Sequence, residues 1–255
     1  MSALRLPEMI IAGAPRCGTS WLYELAGRHP DIEMAKPRSP EPKFFLDDAV
    51  YAHGLDYYSS TWFCDIDERK IAGEKSTNYL ESATAAARIE RHIPGIKLVF
   101  ILRNPVERAY SNYRWSRMNG LEQEEFDQAL DLDLAGSRAV PDALRYARPF
   151  SYLERGLYRR LLTPWFDRFP RDQILCLRFE DIAKSPGAIA QNLHAFLAVA
   201  PRPADADDLG VVNASPGEDG LPMSPSTRAR LERYYEMPNR ELGELLGGGF
   251  DTWQS

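Results

Sequence analysis

Cysteine and histidine are scarce in this sequence. Its 255 residues include three cysteines (Cys17, Cys64 and Cys176) and four histidines. A sparse, odd set of cysteines does not suit a disulfide framework and is typical of a reducing compartment. The histidines are scattered, and none stands at metal-ligand spacing from a cysteine or a carboxylate. We therefore predict neither a disulfide framework nor a bound metal.

Long apolar runs and an excess of positive charge are also missing. No run of roughly 18 apolar residues occurs, and charge and Pro7 interrupt the N-terminal stretch, which argues against a transmembrane helix and a signal peptide. The formal net charge of −6 disfavours a nucleic acid as partner. We expect a cytoplasmic protein without stable membrane insertion, and the sequence leaves its oligomeric state open.

The hydrophobic pattern alternates between short apolar runs and helical periods. Predicted strands cover residues 9–12, 70–72, 97–102 and 173–179. Predicted helices cover residues 19–26, 82–92, 105–117, 153–166, 188–198 and 225–246. This alternation predicts an α/β fold of three layers, with a central parallel β-sheet flanked by helices. The length suits one sizeable core, so we expect a single domain over residues 1–255.

Three segments are expected to be irregular. Prolines interrupt residues 30–43, and residues 201–225 are rich in proline, aspartate and glycine. Residues 131–149 also show no clear helix or strand pattern. Proline removes a backbone donor and fixes one dihedral angle, so it is unfavourable inside helices and central strands.

The first predicted strand runs into a glycine-bearing loop and then into a helix. The loop reads G-A-P-R-C-G-T-S over residues 13–20. Backbone N–H groups at such a helix N-terminus, with Arg16 and the hydroxyls of Thr19 and Ser20, can bind a phosphate. An ordinary turn with a surface arginine explains the segment equally well. The loop is P-loop-like, but Thr19 replaces the lysine that follows the last glycine of an ATP-binding Walker A motif.

A second charged segment follows the strand predicted at residues 97–102. It reads R-N-P-V-E-R-A-Y-S over residues 103–111. Arg103 stands at the carboxyl end of a predicted parallel strand, where open α/β sheets bind ligands. Taken alone, the segment is explained better by arginines that pair with surface carboxylates.

Together, the two segments resemble the sulfotransferases that use 3′-phosphoadenosine 5′-phosphosulfate (PAPS). The likeness is greatest to the branch that contains the heparan sulfate sulfotransferases and their bacterial relatives. Residues 74–79, 156–170 and 173–181 are similar to further segments of that family, so the resemblance extends from about residue 9 to 250. It implies transfer of a sulfuryl group from PAPS to an acceptor hydroxyl, on a carbohydrate or on a sugar-bearing metabolite or lipid, without a metal.

The resemblance also assigns residues to the nucleotide. The residues implied to bind the 5′-phosphosulfate are Arg16, Cys17, Gly18, Thr19, Ser20 and Trp21. Arg103 and Ser111 would bind the 3′-phosphate. Tyr158 is a candidate for stacking on adenine, although tyrosines at helical spacing often belong to a core. An acidic stretch at residues 213–220 replaces the basic glycine loop of the carbohydrate branch, and whether residues 213–222 cover the nucleotide stays open.

Catalytic residues are implied in the same way. Glu41, in the segment S-P-E-P-K-F-F, takes the position of the family's glutamate base. Lys43 stands where some carbohydrate-specific relatives have histidine, and it could orient Glu41. Lys75 lies in a segment that the family places near the reaction centre. Arg16 replaces a lysine found in relatives, and because arginine stays protonated we expect it to stabilise charge rather than donate a proton.

Other interpretations remain open at this point. A kinase-like phosphotransferase would need ATP and Mg²⁺, and the missing Gly-Lys-Ser/Thr tripeptide argues against it. A binding module without chemistry would bind adenosine 3′,5′-bisphosphate (PAP) without turnover, and the presence of Glu41 and Lys75 argues against it. Arg138, Arg145 and Arg148 could line the acceptor side or lie in a solvated loop.

Overall fold

The computed structural model describes residues 4–140, 142–210, 212, 223–247 and 249–253. Contacts divide the chain into two compact units, each made of two separate stretches. The first unit comprises Met1–Leu102 and Thr163–Asn213, and the second comprises Arg103–Leu162 and Ala214–Ser255. Among the described residues, every helix is too short or too polar to cross a membrane.

The first unit contains a five-stranded sheet in which every neighbouring pair is parallel. Its strands are β1 Met9–Gly13, β2 Ile32–Met34, β3 Ile71–Lys75, β4 Lys97–Leu102 and β5 Ile174–Arg178. Their order across the sheet is β2-β3-β1-β4-β5. Ile11 pairs with Lys75 on β3 and with Val99 on β4. The carboxyl ends of these central strands therefore lie at one edge of the sheet.

Helices flank the parallel sheet of the first unit, as the sequence predicts. In chain order, the helices of the described residues in both units are α1 Thr19–Arg28, α2 Asp48–Tyr51, α3 Gly54–Trp62, α4 Ala83–His92, α5 Pro105–Met118, α6 Phe126–Leu134, α7 Tyr158–Phe166, α8 Asp181–Lys184, α9 Pro186–Phe196 and α10 Pro225–Leu246. Of these, α5, α6 and α10 belong to the second unit. All residues of β1 are buried, and so are the last five of β4. Strands that are buried on both faces read as continuous apolar runs, which is why both were predictable.

Local signals fix several helix ends. The Ser82 hydroxyl accepts the Ala85 N–H at 3.0 Å and caps α4, which confirms the predicted N-cap. Pro105 occupies the first turn of α5, where the missing proline N–H is not needed. The helix α10 ends before Gly247. The φ of Gly247 is 84°, which lies in the left-handed region that glycine favours.

Four expectations need correction. Residues 30–43 are not wholly irregular, because Ile32–Met34 forms the edge strand β2 beside β3. The helix predicted from residue 153 begins only at Tyr158, after a 3₁₀ turn at Glu154–Gly156. Residues 131–149 are partly regular, since they include the end of α6 and a 3₁₀ helix at Asp142–Ala147. Residues 201–225 also include a 3₁₀ helix, at Pro203–Ala206.

The second unit has its own core between α5, α6 and α10. Its buried members are Val106, Ala109, Tyr113, Phe126, Ala129, Leu130, Tyr152, Leu153, Leu231 and Tyr235. Gly156 allows a close approach here, because a Cβ at that position would lie 2.7 Å from the Tyr235 hydroxyl and 2.9 Å from Pro105 Cβ. This packing leaves no room for a side chain at residue 156, just before α7 starts.

Candidate active site

The loop between β1 and α1 has the backbone of an anion-binding turn. Gly18 occupies the N-cap of α1 with a φ of 85°. A Cβ there would lie 2.8 Å from Phe179 Cδ2 and from Ile182 Cδ1, so both conformation and space require glycine. No side chain caps α1 at Gly18, and the positive end of a helix is a favourable place for an anion.

The side chains of this loop divide into two groups. Cys17 is 0% exposed and Trp21 is 3% exposed, so both belong to the core and can reach a ligand only through their backbone. Thr19 is also buried, whereas Arg16 and Ser20 are partly exposed. Among the side chains predicted to bind the 5′-phosphosulfate, Arg16 and Ser20 are therefore more accessible than those of Cys17, Thr19 and Trp21.

Gly13 brings the loop against the end of β3. A Cβ at Gly13 would lie 2.6 Å from Leu80 Cβ and 3.1 Å from the Thr77 carbonyl oxygen. The Ser76 N–H also donates to the Ile11 carbonyl at 3.1 Å. The loop after β1 and the segment after β3 are therefore in direct contact.

Glu41 lies at this same end of β3. Its carboxylate forms an ion pair with Lys75 Nζ. The Thr77 N–H donates to Glu41 Oε2 at 3.2 Å, and the Thr77 hydroxyl lies 3.2 Å from both carboxylate oxygens. The Glu41 and Lys75 side chains are only 13% and 6% exposed. The structure thus brings together two predicted catalytic residues and adds Thr77, which the sequence analysis did not identify.

The residues after Glu41 are held by the same segment. The Lys43 N–H donates to Ser76 Oγ at 2.9 Å, and the Phe45 N–H donates to the Tyr79 hydroxyl at 3.1 Å. Lys43 has a φ of 48°, which is uncommon for a residue with a side chain. We call residues 41–45 the base loop. Its backbone position depends on residues 76–79.

Glu74 is a second acid at this end of the sheet. It is 0% exposed, and it accepts a hydrogen bond from the Tyr58 hydroxyl. Burial raises the pKa of Glu74 from 4.5 to about 7, and the nearby Glu41 charge acts in the same direction. Sequence reasoning missed this group, although an acid within the buried run I-A-G-E-K is an available signal. The sequence around Tyr58 contains no pattern that would predict its hydrogen bond with Glu74.

Arg103 and Ser111 belong to the second unit. The Tyr158 hydroxyl donates to the Arg103 carbonyl at 2.8 Å, and the Arg103 N–H lies 3.4 Å from the same hydroxyl. Tyr158 is 1% exposed, so its ring has no open face for a base. These contacts fit a residue that positions Arg103 better than one that stacks on adenine. Ser111 lies on α5 and is partly exposed.

The arginines considered for the acceptor side have partners within the protein. Arg138 pairs with the buried Glu122 and lies 4.7 Å from the centre of the Phe150 ring. Arg145 pairs with Asp142 at 2.9 Å. Arg148 pairs with Glu154, so these three arginines serve internal contacts in this structure.

Two further predictions concern a metal and the nucleotide cover. Across the residues that the structure describes, no three histidine, cysteine or acidic side chains are grouped so that they could hold a metal ion. Residues 213–222, considered as a cover for the nucleotide, lie outside the described residues.

The family model described as "Sulfotransferase domain" matches residues 6–209. The chain therefore belongs to the sulfotransferase family, which confirms the resemblance. It is 28% identical, over 98% of its length, to the bifunctional heparan sulfate N-deacetylase/N-sulfotransferase 1 of Xenopus laevis, of which the alignment covers 31%. It is 29% identical to the heparan sulfate glucosamine 3-O-sulfotransferase 3B1 of Mus musculus, over 76% of this chain and 46% of that protein. The chain thus spans about a third of the length of the first of these relatives.

Solved structures show the same fold. The crystal structure of a sulfotransferase from Alicyclobacillus acidocaldarius matches 95% of this chain and 96% of its own, with a TM-score of 0.75 and 26% identity. A mouse sulfotransferase complexed with PAP matches 95% of this chain and 88% of its own, with a TM-score of 0.60 and 16% identity. The predicted P-loop-like α/β fold is confirmed.

Proposed function

We propose that this protein transfers the sulfuryl group of PAPS to an acceptor hydroxyl by in-line displacement, with Glu41 as general base. One observation carries the proposal. The Glu41 carboxylate is held by Lys75 and Thr77, and Thr77 itself packs against Gly13 at the start of the phosphate-binding loop. A base fixed beside an anion-binding loop is the arrangement that sulfuryl transfer to a hydroxyl needs.

Each residue has a distinct part in this reaction. Glu41 takes the proton of the acceptor hydroxyl as the new oxygen–sulfur bond forms and the bond from sulfur to the 5′-phosphate oxygen breaks. Arg16, Ser20 and the first-turn N–H groups of α1 stabilise the negative charge left on the phosphate. Lys75 orients Glu41 and adds positive charge near the transferred group. Lys43 contributes through its backbone, which fixes the base loop on Ser76.

The 3′-phosphate is assigned to Arg103 and Ser111. Arg103 presents a guanidinium suited to bidentate phosphate binding, and Ser111 adds a hydroxyl donor. Tyr158 supports this pair indirectly, because its hydroxyl bonds the Arg103 backbone at 2.8 Å.

The acceptor is proposed to be a carbohydrate or a molecule that carries a sugar. The names of two relatives, which contain heparan sulfate and glucosamine, support this class. In this structure Arg138, Arg145 and Arg148 pair with acidic residues of the protein. A strongly anionic acceptor would therefore have to compete with those pairs.

Sulfated products from labelled PAPS test the proposal directly. The acceptor panel should contain a heparan-type oligosaccharide, simple glycosides and a glycolipid, with products identified by mass spectrometry. Glu41→Gln is expected to lower kcat by about 10²- to 10⁴-fold, the usual contribution of a general base. PAP affinity should stay within about twofold of wild type, because the amide keeps the shape of the side chain.

The matched control is Glu33→Gln on β2, which removes a partly exposed carboxylate from the same sheet. It should retain wild-type turnover. Full turnover by Glu41→Gln would remove Glu41 from the mechanism. Stabilisation by ADP but not by PAP in a thermal-shift assay would contradict the choice of donor and favour a phosphotransferase.

A further inference from the structure

Glu74 has no role in the reaction as proposed, yet its burial needs an explanation. It precedes Lys75 on β3 and is paired with Ile10 on β1. Acidic side chains are almost never fully buried unless they are paired, and Glu74 is 0% exposed. The Tyr58 hydroxyl, which comes from α3, donates a hydrogen bond to Glu74, and the hydroxyls of Ser76 and Tyr79 also hydrogen-bond to its carboxyl group.

The aromatic groups around Glu74 contact the base loop. The Tyr58 ring stacks on Phe44 with 4.4 Å between ring centres and 11° between planes. It also meets the edge of Phe45 at 5.3 Å. The Tyr79 hydroxyl accepts the Phe45 N–H, and Glu74 is among the groups that raise the pKa of Tyr79. Glu74 therefore lies among the same side chains that fix Phe44 and Phe45.

The base loop is attached at alternate residues. Thr77 binds Glu41, Ser76 binds the Lys43 backbone and Tyr79 binds the Phe45 backbone. A displacement of residues 74–79 by a fraction of an ångström would therefore move the Glu41 carboxylate. Catalytic groups need to be held within about 0.5 Å of the productive geometry by a supporting layer of residues.

We propose that Glu74 is a positioning residue for Glu41. Glu74 acts through the hydrogen bond with Tyr58 and through the carboxyl end of β3, and it keeps the base loop against Lys75 and Thr77. This inference rests on the proposed role of Glu41 as base. It assigns Glu74 no contact with the substrate.

The ionisation of Glu74 provides a distinctive signature. The titratable groups that face it are Tyr58 from α3, Tyr79 from the 3₁₀ helix and Glu41 from the base loop. Because burial raises the pKa of Glu74 to about 7, this residue gains a negative charge near neutral pH. That charge repels the Glu41 carboxylate and opposes its contacts with Lys75 and Thr77, so the base is displaced and kcat should fall as the pH rises through about 7.

The variants Glu74→Gln and Tyr58→Phe test the inference in the full-length protein. Glu74→Gln keeps an acceptor for Tyr58 and cannot ionise, so it should retain kcat at pH 6 and lose the fall above pH 7. Tyr58→Phe keeps the ring stack and removes the hydrogen bond, so kcat should fall about fivefold, with PAP affinity and the KM for PAPS unchanged. Glu33→Gln is again the control and should follow the wild-type pH profile. Identical profiles for wild type and Glu74→Gln would overturn the inference.

An activity-independent measurement separates this inference from the proposed function. Carboxyl ¹³C NMR of glutamate-labelled protein, with signals assigned from Glu41→Gln and Glu74→Gln, follows both acids. The Glu41 signal should respond to the ionisation of Glu74 in wild type and lose that response in Glu74→Gln. A Glu41 signal that is the same in both proteins would refute positioning even if Glu41 proves to be the base. Inactive wild type with coupled signals would instead count against the proposed function alone.

Discussion

Glu41 Oε2 accepts a hydrogen bond from the Thr77 backbone N–H at 3.2 Å, although the two residues are 36 positions apart in the chain. A backbone N–H is fixed by the chain and has no side-chain rotamer to adopt. The Thr77 N–H lies just after the central strand β3. Glu41 is thus oriented before any acceptor binds, which is the property expected of a preorganised catalytic group.

The Thr77 hydroxyl should contribute separately from the Thr77 backbone. Thr77→Val keeps the shape and the N–H but removes the hydroxyl, which lies 3.2 Å from both Glu41 oxygens. We expect kcat to fall about three- to tenfold, the effect of one lost hydrogen bond to a charged group. Steady-state kinetics with Thr77→Ser as control checks this, since serine restores the donor. Unchanged kcat in Thr77→Val together with a loss in Thr77→Ser would show that the methyl group, not the hydroxyl, matters.

Gly13 should be intolerant of any side chain. Gly13→Ala places a Cβ 2.6 Å from Leu80 Cβ, and such overpacking costs about 1–3 kcal/mol of unfolding free energy. Urea denaturation measures the loss, and PAP binding should weaken with it because the loop starts at this residue.

The matched control for this change is Gly27→Ala in α1. The nearest atom to a Cβ there is Met34 Cγ at 3.8 Å. This substitution should be neutral or stabilise the protein by about 0.5–1 kcal/mol, because alanine favours helix. Equal destabilisation by both variants would show that the contact with Leu80 is not the cause.

Tyr158 should act on nucleotide binding through Arg103. Tyr158→Phe keeps the buried ring and removes the hydroxyl that donates to the Arg103 carbonyl. We expect PAP to bind about three- to tenfold more weakly, since one hydrogen bond that orients the arginine is lost. Isothermal titration calorimetry checks this, with Tyr234→Phe on the exposed side of α10 as control. Unchanged affinity in Tyr158→Phe would remove Tyr158 from the nucleotide site.

Glu74 also makes the stability of the protein depend on pH. Its pKa is raised from 4.5 to about 7 in the folded state, so between these values the unfolded chain releases a proton that the folded chain keeps. The unfolding free energy therefore falls as the pH rises from about 4.5 to 7, by on the order of 3 kcal/mol, and changes no further above pH 7.

Glu74→Gln should remove this dependence. Urea denaturation at pH 5 and pH 8 would then show the variant gaining stability relative to wild type at the higher pH. A difference between the two proteins that stays the same at both pH values would contradict the raised pKa.

The sequence predicts most of the sheet because local signals suffice there. β1 and β4 are buried on both faces, and the N-cap Ser82 and the first-turn Pro105 mark two helix starts by their residue types. The sequence does not predict β2, because its three residues are too few to show a repeating pattern of apolar and polar side chains. This segment is recognised as a strand only from its pairing with β3. The helix predicted from residue 153 was wrong at its start, where the chain forms a 3₁₀ turn at Glu154–Gly156 and Gly156 approaches Tyr235 closely.

In the candidate site, the sequence predicts only those residues that belong to the family's motifs. The resemblance to the family points to Glu41 and Lys75, and the structure pairs them. The supporting residues Tyr58 and Thr77 are recognised only from three-dimensional contacts. Tyr158 was identified from its chemical type, but its burial indicates a different task from the one expected.

The order of the base loop and its anchors has a consequence for protein synthesis. Glu41 leaves the ribosome 34 residues before Lys75 and 36 before Thr77. A nascent chain that stalls before β3 contains Glu41 but neither Lys75 nor Thr77. Any split or circularly permuted version of the protein must therefore reunite the two segments before Glu41 can pair with Lys75 and Thr77.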